Sequence, residues 1–232
     1  MKKKVISFSV YGDIPMYTIG VLKNLELAKN IYPDWMVYVY YNNTVPINFI
    51  EQYRQFDNCK LFDMTGFDCP GVLWRFLPKD GVERFISRDA DSRLSMREKI
   101  VVDEWIESGK LLHIMRDHPH HGYPIYAGLF GLVVTEDLNL KDDVLDFVKR
   151  NIGNDLFNKF VDTPFLNEFV YNKYIGSGDM ICHDSYYTTY PFSKPFPMKL
   201  KDYKFIGEIH DEYDNRNNDY LIWMNKKEVG YE

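Results

Sequence analysis

Residues 83–115 read ERFISRDADSRLSMREKIVVDEWIESGKLLHIM, and the order of physical signals in that run decides the fold. An apolar strand over 83–87 ends in Asp89-Ala90-Asp91, where the chain breaks. Ser95 then stands three residues before Glu98 and just ahead of Ile100, Val101 and Trp105, the capping-box signature of a helix start. Gly109 is placed to stop that helix. Residues 111–115 form a second apolar run of strand length. Strand, helix and strand in one run predict an α/β fold.

The same alternation extends toward the N-terminus. Residues 4–10 make a short apolar strand that ends in a turn, Tyr11-Gly12-Asp13. Pro15 opens a helix to residue 30 whose apolar face carries Ile19, Leu22, Leu25, Leu27 and Ala28. Val37-Tyr38-Val39-Tyr40 marks a strand over 34–41, followed by a helix at 46–56 and a strand at 60–64. Pro70-Gly71 leads into a short helix bearing Trp74, Arg75 and Phe76. Downstream, residues 117–131 are rich in His, Pro and Gly and read as a functional loop. Helices are expected near 141–150 and 155–174, and the last stretch reads as short strands and loops. With no repeat and no linker, residues 1–232 form a single domain.

Composition narrows the function classes. The chain has 232 residues, 45% apolar and 16% aromatic, enough for a full core. A net charge of −6 leaves no electrostatic footprint for nucleic acid, so no nucleic-acid partner is expected. No run approaches the roughly 18 apolar residues of a membrane span, and the first residues do not read as a signal peptide. Cys59, Cys69 and Cys182 are odd in number and scattered, which suits a reducing compartment. A cytoplasmic setting is expected.

The chemistry centres on Asp89 and Asp91. If the chain stays extended there, the two carboxylates point to one side. Like charges so close repel unless a cation lies between them. Hard oxygen ligands suit Mg²⁺ or Mn²⁺, which keep positions open for substrate phosphates. The bland alternative is a helix N-cap with a solvated turn. Arg88 and Arg93 flank the acids and Arg75 sits on a nearby element; guanidinium groups recognise phosphate bidentately, so a diphosphate-like ligand is expected.

The run RFISRDADSRLSMREKIVVDEWIESGKLLHIMRDHPHH resembles the central signature of small GT-A glycosyltransferases of large DNA viruses and bacteria. The first strand, Leu73-Trp-Arg-Phe76, His183-Asp-Ser185 and Phe205-Ile-Gly-Glu208 follow the same layout. The resemblance implies a GT-A (Rossmann-like) fold, an α/β single domain with a central mixed sheet flanked by helices. It further implies a nucleotide-binding half over 1–115 and a donor-sugar and acceptor half over 116–232. The implied reaction moves a hexosyl-type sugar from a nucleotide-diphosphate donor, commonly a UDP-sugar, to a hydroxyl of a glycan or glycoconjugate. A divalent ion, often Mn²⁺ and alternatively Mg²⁺, would bridge Asp91 and Asp89 to the diphosphate. Ser9, Tyr11 and Gly12 would lie beside the nucleoside, and Arg75 would face base, ribose or phosphates. One departure is Ala127-Gly-Leu-Phe-Gly131, where many relatives have Gly-Gly-Met-Trp-Gly, and it bears on the donor sugar.

Further candidates carry bland readings beside functional ones. Asp117 and His118 are expected to line the donor-sugar pocket, with Asp117 bonding hydroxyls or acting as the base; Glu208 is the second candidate base. His183 is either a structural histidine or a third metal ligand, a role imidazole would fill better for Mn²⁺. His118, His120 and His121 lack the partners of a tetrahedral zinc site. Trp35, Trp74 and Trp105 read as core. Two rivals remain: a haloacid-dehalogenase-like phosphohydrolase, in which Asp179 and Asp184 mimic the distal acidic motif, and a non-catalytic nucleotide-sugar-binding module.

Overall fold

A computed structural model describes residues 2–151 and 161–228. Eight strands join in one sheet: β1 (Lys3–Val10), β2 (Trp35–Tyr41), β3 (Cys59–Asp63), β4 (Val82–Ser87), β5 (Leu112–Arg116), β6 (Phe130–Val133), β7 (Met180–Asp184) and β8 (Ser193–Lys194). Their order is β3-β2-β1-β4-β6-β5-β7-β8. β6 runs antiparallel to both β4 and β5, and the other pairings are parallel. The sheet is mixed, as expected. Every strand but β6 therefore ends at the same edge. The order reverses between β1 and β4, and the crevice outside such a switch point is where α/β sheets bind ligands.

Period-two alternation builds a core on each face. Val5, Tyr38, Tyr40 and Phe85 pack on one side, while Ile6, Val37, Val39 and Ile86 pack on the other. The second face is covered by α1 (Pro15–Ile31), α2 (Ile47–Arg54) and α3 (Met96–Ser108), through Leu25, Tyr53 and Trp105 among others. A 3-10 helix at Gly71–Phe76, α4 (Leu140–Arg150) and α5 (Asp162–Leu166) cover the first. A π-helical turn at Asn167–Tyr171 continues into α6 (Asn172–Ile175). The helix expected over 155–174 is thus broken into three pieces, and its start lies outside the described residues.

Helix α3 starts and stops where its signals stand. Ser95 Oγ accepts from the Glu98 amide at 3.2 Å, and Gly109 closes the helix at φ 67°. The Glu98 carboxylate does not return to the cap; it is spent inside, on Arg88 and Tyr32.

Two elements depart from expectation. The stretch expected as loop to residue 131 ends in β6, which is wedged between β4 and β5. The last stretch contains a helix, α7 (Asn218–Glu228). Among the described residues no helix is long and apolar enough to cross a membrane.

Candidate functional site

A cavity of about 350 Å³ is lined by residues from the carboxyl edge of the sheet and the segments beyond it. Its polar end holds Arg75, Asp89 and Asp162; its other walls carry His118, His120, Tyr123, Tyr126 and Tyr220, with Leu129 and Phe205.

The 3-10 helix delivers Arg75, whose backbone amide donates to Ser9 Oγ at 2.9 Å. One guanidinium nitrogen pairs with Asp89 Oδ1 and donates to the Arg88 carbonyl at 3.2 Å. The other donates to Asp162 Oδ2 at 3.1 Å. The side chain is only 7% exposed, and its Nε has no partner among the described residues. Burial pushes the Asp162 carboxyl above its usual range, against the pull of Arg75. Two carboxylates thus hold a guanidinium in the cavity lining, with three of its five N–H donors bonded among the described residues. The Nε is itself shut off from solvent, so Arg75 meets an incoming anion as a fixed positive charge.

The Asp-x-Asp segment is a turn and not an extended strand. Strand β4 ends at Ser87, and the Ser92 amide returns to the Asp89 carbonyl at 3.2 Å, with Ser92 Oγ on the same oxygen at 2.9 Å. Strand alternation therefore lapses before it can aim both carboxylates at one point. Asp89 lines the cavity with its side chain 42% exposed. Asp91 is buried off the cavity wall, and its carbonyl accepts from the His210 amide at 2.8 Å. A Cβ at Gly128 would fall 1.9 Å from Asp89 Oδ2, and one at Gly20 would fall 2.0 Å from the Ala90 carbonyl. Both glycines leave the space in which this turn sits.

Asp89 offers hard oxygens at a partly open position beside Gly128. That donor chemistry fits Mg²⁺ or Mn²⁺ completed by phosphate oxygens and water. Among the described residues no three His, Cys, Asp or Glu side chains form a ready metal cage.

Ser9, Tyr11 and Gly12 gather at the end of β1, beside the 3-10 helix. The Gly12 amide donates to Thr44 Oγ1 at 2.7 Å, at a φ of 73°. Tyr11 is exposed and meets Trp74 edge-on at 5.9 Å. Its ring lies over Gly71, where a Cβ would fall 2.4 Å from it.

Several expected site residues are placed elsewhere. Arg88 is buried and bonds Glu98 at 2.9 Å, the Ser87 carbonyl at 2.7 Å and the Phe130 carbonyl at 3.0 Å, so it braces the fold. Arg93 reaches out to Asp214 at 2.9 Å. Asp117 has no exposure, and both oxygens are occupied by Arg97, Ser185 Oγ and the Ile206 amide, at 2.5–3.0 Å. It pins three segments together and does not line the cavity. Glu208 is turned toward Arg216, while its neighbours Gly207 and Ile209 line the cavity; burial raises its carboxyl.

His183 lies in the core, with Nδ1 at 2.9 Å from His113 Nε2 and Nε2 at 3.0 Å from Glu104. Both ring nitrogens are spent there, which removes it as a metal ligand. His118 does line the cavity, yet its nitrogens bond the Tyr220 carbonyl and the His120 amide, and burial lowers its pKa. Asp184, an element of the phosphohydrolase reading, is fully buried against Arg116 at 2.5 Å. Trp35, Trp74 and Trp105 are core, as expected.

Asp162 is the residue that sequence reading missed. The signal available was Asp162-Thr163-Pro164, an acid and a proline at a helix start. Nothing local could show its partner, Arg75, 87 residues away.

No family model matches the chain, and no curated protein matches it. Among solved structures it is similar to the 1–349 portion of S. aureus TarS in complex with UDP-GlcNAc. That match has 15% identity over 50% of this chain and 34% of that one, with a TM-score of 0.34. The chain thus spans about a third of the TarS portion. It is also similar to 4-diphosphocytidyl-2C-methyl-D-erythritol synthase from Anaerococcus prevotii. There the identity is 9% over 72% of this chain and 82% of that one, with a TM-score of 0.44.

Proposed function

We propose that the chain is a metal-dependent glycosyltransferase whose cavity takes the diphosphate of a nucleotide-sugar donor, a UDP-sugar first among them, and transfers the sugar to a hydroxyl. The observation that carries this reading is Arg75, held between Asp89 and Asp162 on the cavity lining. A preorganised guanidinium stabilises charge that develops on a leaving diphosphate without reorganising at that moment. The nucleoside would lie toward Ser9, Tyr11 and Gly12, with the exposed Tyr11 ring as a stacking surface.

Asp89 would hold the cation, Mn²⁺ or Mg²⁺, a role that sequence reading shared between Asp89 and Asp91. When bound, the cation supplies Lewis-acid neutralisation of the diphosphate. Asp162 orients Arg75 and offers a carboxylate to sugar hydroxyls. Asp117, Arg97 and Ser185 keep the far wall in place from behind.

The reading is tested by incubating the protein with UDP-sugars and Mn²⁺ and measuring released UDP, with Asp89→Ala alongside. Expected is slow metal-dependent UDP release that the variant loses. Hydrolysis of a generic phosphate monoester in its place would favour the phosphohydrolase. Nucleotide binding without turnover would favour the non-catalytic module.

A further inference from the structure

The cavity lining has a second chemistry beside its charged groups. Besides Arg75, Asp89 and Asp162, it carries rings from three segments: the loop after β5, Phe205 and α7. Tyr123 and Tyr126 come from the loop after β5, at 5.7 Å from each other. Tyr220 comes from α7, and Trp223, one turn further along the same helix face, packs on His120 at 4.7 Å.

These rings are held in place. Tyr126 Oη donates to the His120 carbonyl at 2.8 Å and accepts from the Tyr123 amide at 3.0 Å. The buried Met224 receives the Tyr186 hydroxyl at 3.3 Å, and His118 bonds the Tyr220 carbonyl at 3.1 Å, which seats α7. Even so, Tyr123 is 60% and Trp223 46% exposed. The other three tryptophans are buried. Large rings held in fixed positions yet left half in water, on or beside a cavity whose lining also carries carboxylates, suit a ligand with one apolar face and several hydroxyls.

We propose that this aromatic cluster, Tyr123 with His120, Tyr220 and Trp223, is the binding platform for the pyranose ring of an uncharged acceptor sugar. The C–H face of a pyranose packs on such rings, while its hydroxyls turn toward the carboxylates inside. Among the described lining residues Arg75 alone carries a permanent positive charge, and two carboxylates already hold it. An anionic sugar would meet Asp89 and Asp162 with Arg75 and the cation on Asp89 already committed to the donor's diphosphate. The inference rests on the glycosyltransferase reading and names the acceptor class for it.

Because Trp35, Trp74 and Trp105 are buried, acrylamide quenching of tryptophan fluorescence reports on Trp223. The probes are the methyl pyranosides of glucose, galactose, mannose and N-acetylglucosamine, with methyl glucuronide as the anionic control, added to UDP-saturated protein. Expected is saturable protection of Trp223 by at least one neutral glycoside and none by the glucuronide. Trp223→Ala raises the acceptor KM by roughly three- to tenfold, the worth of one ring contact. Trp223→Phe restores most of it, and the thermal shift with UDP is unchanged in both variants. If UDP still binds but no glycoside protects Trp223, or if Trp223→Ala leaves the acceptor KM unmoved, the platform is overturned while the donor reading stands. Failure of the wild-type protein to bind UDP removes the donor reading itself, and the platform with it.

Discussion

Arg75 and Arg88 stand close in space, yet their surroundings divide the work between them. Arg75 lines the cavity between Asp89 and Asp162, whereas Arg88 lies off the cavity wall, locked to Glu98 with both side chains 2% exposed. Tyr32 Oη donates to the same Glu98 oxygen at 2.9 Å. Removing one partner of a buried ion pair strands the other's charge, at a cost of about 3–5 kcal/mol. Glu98→Ala should therefore lower unfolding stability in urea by that amount. The folded variant should bind UDP as well as the wild type does, because Arg88 does not line the cavity. A variant as stable as the parent, or one that folds but loses UDP, would contradict this division of roles.

Elements meet at a second buried cluster, which ties β5, β7, β8 and α3 together. His183 donates from Nε2 to Glu104, since a carboxylate only accepts, so its Nδ1 must receive the proton of His113 Nε2. His113 Nδ1 is then a bare, buried lone pair with no partner among the described residues. Lys194 pairs with the same Glu104, and the His113 ring stacks on Trp105. Burial lowers the pKa of both histidines below the ordinary 6.5. The unfolded chain therefore binds protons first as pH falls. The stability from this pair is complete above about pH 6.5 and is lost as pH falls through the folded values. Melting temperature should drop between pH 7.5 and 5.5, with up to about 1.4 kcal/mol lost per pH unit for each histidine. His113→Phe, which keeps the stack on Trp105, should flatten that slope; an unchanged slope would place the titration elsewhere.

At the scale of the whole molecule, what the sequence disclosed follows the range of the interactions involved. The βαβ order and the Ser95 and Gly109 stops are local signals, and they read correctly. Strand β6 was missed because its four residues sit behind a His- and Gly-rich loop, and only pairing with β4 and β5 makes them a strand. Helix α7 carries Asn218, Asp219, Asn225, Lys226 and Lys227, a polar composition that hides it. Asp91, Asp117, Glu208 and His183 were legible as polar residues in telling positions. Whether each faces a ligand or a partner depends on residues far along the chain, such as Arg97 for Asp117 and His113 for His183.

The most direct test of the central claim is calorimetric titration of UDP, with and without Mn²⁺, into the wild-type protein and into Arg75→Gln, with circular dichroism confirming that both are folded. The account predicts binding that Mn²⁺ strengthens and that Arg75→Gln weakens by at least about tenfold, the 1.4 kcal/mol scale of a charged hydrogen bond. Equal affinity in the two proteins, or no heat with UDP at all, would contradict it.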